Sequence, residues 1–121
     1  MTESMSQYVV LLPGDEAEWE AAPEERRQAT YAQHHEFAKR LEERGHRVTG
    51  GAELAHSREA KVLRTTPDGT QTVTEGPYSE AVEQLTGFYI VESPSMEAIV
   101  EAAEEMLPVH VRLEIAPAFN E

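Results

Sequence analysis

The chain contains no cysteine. Disulfides, thiolate nucleophiles and cysteine-based zinc sites are thereby excluded, and a cytoplasmic location is the default expectation. Cations are scarce: ten Lys and Arg stand against 23 Asp and Glu, for a formal net charge of −13. Nucleic acid and anionic membranes are held by clustered Lys and Arg, so neither is an expected partner. Most of the cations lie between Arg26 and Lys61, interleaved with acids. The acid excess itself reads as a contribution to solubility. No apolar run approaches the ~20 residues of a membrane span. The opening MTESMSQ lacks the basic-then-apolar pattern of a secretory signal. There is no repeat and no linker, and 121 residues suit one domain over 1–121.

The apolar segments that are present alternate in type. Tyr8 to Leu12 reads as a strand buried on both faces and ended by Pro13-Gly14. Asp15 to Glu25 is an acidic loop or short helical turn holding the only Trp, Trp19. Pro23 followed by two Glu favours a helix start. The helix is expected from Glu24 to Arg44, with Gly45 as its stop. Tyr31, Phe37, Ala38 and Leu41 recur at helical spacing, His34 falls within their stripe, and His35 points away. His46 to Leu54 reads as a second strand, with a bulge or close backbone approach at Gly50-Gly51. Ala60–Thr65 and Gln71–Glu75 flank Pro67-Asp68-Gly69 and predict a hairpin.

Gly87 to Glu92 is the next predicted strand. Ser93-Pro94 is read as cap and first position of a second helix, with a stripe of Met96, Ile99, Val100, Ala103 and Met106. A last strand, Val109 to Ile115, alternates strictly after Pro108. The order β-α-β-(hairpin)-β-α-β is α+β and ferredoxin-like, an antiparallel sheet with two helices on one face. The other face is apolar too, and an exposed apolar sheet face marks an interface. A homodimer packed sheet to sheet, a dimeric α/β barrel, is the expectation.

The stretch EGPYSEAVEQLTGFYIVE, Glu75 to Glu92, is similar to the signature of the YciI-related, or DGPF-domain, family. There an Asp-Gly-Pro-Phe turn precedes a polar run, Glu-Gln-Leu, and a Gly opening an aromatic strand. Here Glu75 and Tyr78 stand for Asp and Phe. GDEAEW (Gly14 to Trp19), the helix ending at Gly45, Gly50-Gly51 and the final VRLEIAP fit the same pattern. The resemblance implies a dimeric α+β barrel with a pocket near the first helix, and a His on that helix partnered by an acid as a suspected catalytic dyad. The His position falls on His34, eleven residues before Gly45. At the family's acid position this chain has Ser57, and the nearest carboxylate is Glu53. A few members of the family resemble small lyases acting on chlorinated aromatic compounds.

His34 is therefore the candidate general acid or base, and Glu53 its candidate orienting acid. Tyr8, Tyr78 and Tyr89 are candidate pocket aromatics. Glu75 and Glu83 flank the signature turn, where a carboxylate can hold backbone N–H groups, and Glu75 is counted with the pocket. Arg58 and Arg64 are candidate anion holders, each otherwise a solvated strand charge. His34 and His35 cannot converge on one ion, and His56 and His110 lie apart, so no metal is expected. Gly50-Gly51 lacks the Lys and Ser/Thr of a phosphate loop, and no cofactor is expected. Two functions follow: a cofactor-free, lyase-type enzyme acting on a small, partly apolar molecule, or a non-catalytic dimeric module for a small ligand or for regulation, in which His34 only packs.

Overall fold

The computed structural model describes residues 4–76, 82–106 and 112–119. Strand β1 (Ser6–Asp15) leads through a short helix α1 (Glu16–Ala21) into a long helix α2 (Glu24–Glu43). Strand β2 (Arg47–Glu53), the hairpin β3 (Lys61–Thr65) and β4 (Gln71–Glu75), and strand β5 (Glu83–Ser93) follow. Helix α3 (Met96–Ala103) and strand β6 (Glu114–Pro117) close the order. The four-stranded sheet runs β2-β5-β1-β6, with every neighbouring pair antiparallel, while β3 and β4 form a separate two-stranded sheet. With the hairpin set aside, this is the expected α+β, ferredoxin-like arrangement.

One face of the sheet meets the helices. Val10, Leu12 and Val91 are buried against Phe37 and Leu41 of α2 and Ile99, Ala102 and Ala103 of α3, with Met106 sealing the end. Burying side chains of this size is worth roughly 1.5–3 kcal/mol each, so these few positions dominate the fold. In α3 the buried stripe runs through Ala102, while Val100, expected inside, is 39% exposed. The hairpin turn forms as read: Thr66 and Thr70 close it by a backbone hydrogen bond, with Gly69 at φ 88°.

Several boundaries differ from expectation. Pro13-Gly14 does not end β1; the strand continues to Asp15 through a register shift after Leu12. A bulge there needs no N–H from Pro13, and the Thr86 hydroxyl satisfies the Leu12 carbonyl at 2.7 Å. Asp15 then caps α1 by accepting from the Glu18 N–H at 3.1 Å. The cap of α3 is Ser95, whose hydroxyl accepts from the Ala98 N–H at 3.3 Å. Ser93 is instead the buried end of β5, bonded to the Ser95 backbone. Strand β5 begins at Glu83, so Glu83-Gln84-Leu85 is strand and not lead-in. The described part of the last strand begins at Glu114; residues 109–111 lie outside the described residues.

Candidate functional site

Helix α2 carries two adjacent faces. Phe37 and Leu41 enter the core. Arg27, Tyr31, His34 and Ala38, spaced four, three and four apart, line a cavity of about 950 Å³. Its other walls come from α1, the end of β1, the end of β2 with the segment after it, and the start of β5.

His34 is half-buried on this wall. Its Nδ1 lies 2.7 Å from the Tyr89 hydroxyl, and the two rings are 5.7 Å apart. The Tyr89 ring also packs on Phe37, 5.5 Å between centroids. Burial, and then the negative charge of Glu53, pushes the Tyr89 hydroxyl up from its ordinary value of 10.0. It therefore stays protonated at neutral pH, and can donate to Nδ1 or accept from it according to the imidazole tautomer. Gly51 makes room for it: at φ 147°, a Cβ there would run into the Phe88 carbonyl and come within 3.2 Å of the Tyr89 ring. The close approach expected at Gly50-Gly51 is this one, and the register of β2 shifts between Val48 and Gly50.

Glu53, at the end of β2, accepts a hydrogen bond from the Tyr31 hydroxyl at 2.9 Å. Desolvation, and next that bond, raises Tyr31 from 10.0. Trp19 meets Tyr31 edge to face at 5.8 Å. Arg27 lies over the Trp19 ring at 5.6 Å and donates to the carbonyls of Trp19 and Glu20 at 3.1 and 2.7 Å, closing the C-terminal end of α1. His34 and Glu53 thus share one cavity, each bonded to a tyrosine: His34 to Tyr89, Glu53 to Tyr31.

The opposite wall is a polar lattice. Ser57 is buried and gives both its N–H (2.7 Å) and its hydroxyl (2.5 Å) to the Glu16 carboxylate. His56 Nδ1 accepts from the Arg58 N–H at 3.1 Å, and its Nε2 lies 3.2 Å from Glu20. The Arg58 guanidinium grips Glu20 with two bonds, 3.0 and 2.8 Å, which lowers that carboxyl below its usual range. The segment after β2 is fastened to α1 by these contacts. Ser57, which carries no acid itself, has a carboxylate delivered to it from α1.

The other candidates are dispersed. Tyr8 packs against the core, away from the cavity wall. Glu75 is exposed on the hairpin, 2.8 Å from Lys61, and Arg64 is exposed on the same hairpin. Glu83 borders the cavity and meets Arg112 at 3.5 Å. His35 is exposed at the rim. Tyr78 and His110 lie outside the described residues. Trp19, Arg27 and Tyr31 were not foreseen as wall residues. The expected stripe of Tyr31, Phe37, Ala38 and Leu41 is in fact divided, with Tyr31 and Ala38 on the cavity beside Arg27 and His34, and Phe37 and Leu41 in the core.

The signature turn has a structural reason for its glycine. The Gly76 N–H bonds to the Ala60 carbonyl at 2.6 Å, and a Cβ on Gly76 would overlap the Ser57 carbonyl. Gly76→Ala is expected to cost about 1–3 kcal/mol, the range for forced overpacking, and to loosen Ser57 from Glu16. Urea unfolding measures it; a loss below about 0.5 kcal/mol would contradict this packing.

The class is set by the sheet order and the helix-flanked cavity: a small α+β protein whose first long helix presents a histidine to a cavity beside the sheet. The model of the YCII-related domain matches residues 6–109, and the chain belongs to that family. No curated protein matches the chain.

Proposed function

We propose that this protein is a cofactor-free acid–base enzyme of the lyase type, acting on a small, partly apolar molecule, with His34 moving the proton. The observation that supports it is His34 itself, half-buried on the wall of a cavity of about 950 Å³ with Nδ1 anchored 2.7 Å from the Tyr89 hydroxyl. An imidazole held by a hydrogen bond at Nδ1 is oriented for proton transfer. Elimination needs one such shuttle beside an apolar seat, which Leu12, Ala38 and Leu54 supply. A panel of small carbon acids in D2O, followed by NMR, tests it. Exchange or elimination that disappears in His34→Gln is expected. Ligands that occupy the cavity with no His34-dependent chemistry would contradict the enzyme. They would favour the second reading, a ligand-binding module, which draws on His34 having an uncharged partner in Tyr89.

The protein is further proposed to work in the cytoplasm as a homodimer. Alternation along β1 turns Val10 and Leu12 toward the helices and leaves Val9 and Leu11 on the opposite face, paired with Ile90 and Phe88. A second copy covering this apolar face accounts for it. Light scattering should give twice the chain mass, and Leu11→Asp should give one. A native monomer at micromolar concentration would contradict the dimer.

A further inference from the structure

The charges on the cavity wall are unevenly matched, and the mismatch indicates which ligands fit; this rests on reading the cavity as a ligand site. Three cations border it, and each is engaged. Arg26 meets Glu18 at 3.3 Å. Arg58 meets Glu20 through two bonds, at 3.0 and 2.8 Å. Arg27 donates to two backbone carbonyls and covers the Trp19 ring. A ligand carboxylate would have to displace one of these partners to reach a positive charge. It would also face Asp15, Glu16 and Glu83 on the same wall.

Glu53 stands in the opposite condition. Its hydrogen bond comes from the neutral Tyr31 hydroxyl, and no Lys or Arg among the described residues pairs with it. Aromatic side chains lie on the Glu53 side of the cavity. Tyr31 is bonded to Glu53, Trp19 sits edge to face on Tyr31, and Tyr89 lines the same cavity. A carboxylate beside aromatic rings is the environment that recognises an organic ammonium group, through ion pairing together with the ring quadrupoles. Leu12, Ala38 and Leu54 offer apolar surface for the rest of such a molecule.

We infer that the cavity takes a small organic amine on an aromatic or apolar body, with Glu53 as its counter-ion, and turns away carboxylates of the same shape. The specificity lies in a wall carboxylate bonded to an aromatic hydroxyl rather than to a cation, and in the absence of an uncommitted Lys or Arg among the described wall residues. Salt should weaken binding of the amine and leave a neutral analogue nearly unaffected.

Three probes on one skeleton test this with the full chain at low ionic strength: 2-phenylethylamine, 2-phenylethanol and 3-phenylpropionate, titrated by calorimetry and by NMR of cavity resonances. The amine is expected to bind about tenfold more tightly than the alcohol, and the carboxylate most weakly. Glu53→Gln should remove the amine's advantage and leave the alcohol unchanged; Glu53 is exposed, so the variant keeps its fold. Carboxylate binding equal to or tighter than that of the amine would overturn the inference, and its loss in Arg27→Gln would assign Arg27 as an anion anchor instead. An amine preference that survives Glu53→Gln would overturn the role of Glu53. If no probe shifts any cavity resonance, the inference and the cavity reading both fail; if only the charge order is wrong, the cavity reading stands.

Discussion

Phe37→Ala is expected to lower stability by about 3–5 kcal/mol, the range for removing a buried aromatic ring. Phe37 is 1% exposed, lies among Val10, Leu41, Val91 and Ile99, and supports the Tyr89 ring at 5.5 Å. Both the transfer of the ring from water and the cavity left behind contribute to the loss. For a domain of this size that loss corresponds to a fall of roughly 10–20 °C in Tm, and it is a large share of the 5–15 kcal/mol typical of whole proteins. Thermal and urea unfolding measure it. A loss under about 1 kcal/mol would mean the ring is not in the core. Tyr31→Ala, on the same helix, should cost far less, because Tyr31 is 42% exposed. The contrast between these two aromatics separates the core face of α2 from its cavity face.

The second large effect is on chemistry. His34→Gln is expected to lower turnover of any substrate found in the carbon-acid panel by about 10²–10⁴-fold, the usual worth of a positioned acid or base. Substrate affinity should change little, because the amide is close in size and keeps a polar atom at the wall. Tyr89→Phe should lower turnover less, about tenfold, consistent with one hydrogen bond that orients the ring. Equal turnover in native protein and His34→Gln would move the chemistry away from this residue. Circular dichroism should show the variant folded, since His34 is only half-buried.

The elements were legible wherever periodicity and turn chemistry agreed. Helix α2, the hairpin around Pro67-Asp68-Gly69 and the irregularity at Gly50-Gly51 all stand where the sequence put them. The misjudged boundaries have a common cause: tertiary contacts override local punctuation. Pro13-Gly14 looks like a strand end, but a bulge with Thr86 behind it carries β1 onward. Ser93 looks like a cap, but it is taken by the sheet, and Ser95 caps in its place. The site was less legible for the same reason. His34 and Glu53 do border one cavity, yet their tyrosine partners are 55 and 22 residues away in the chain. No local pattern encodes pairings at that range. The Glu16 carboxylate bonded to Ser57 spans 41 residues and was equally invisible to spacing arguments.

The account turns on His34 being an oriented, accessible imidazole. The most direct measurement is an NMR pH titration of the His34 ring in native protein and in Tyr89→Phe. Loss of the Tyr89 hydroxyl changes the hydrogen bonding of Nδ1, so the His34 ring should respond to that substitution. Across about pH 5 to 8 the ring is expected to change protonation state, to behave differently in Tyr89→Phe, and to respond to ligands in the cavity. A His34 that holds one protonation state across that range, and is indifferent both to Tyr89→Phe and to added ligand, would contradict it.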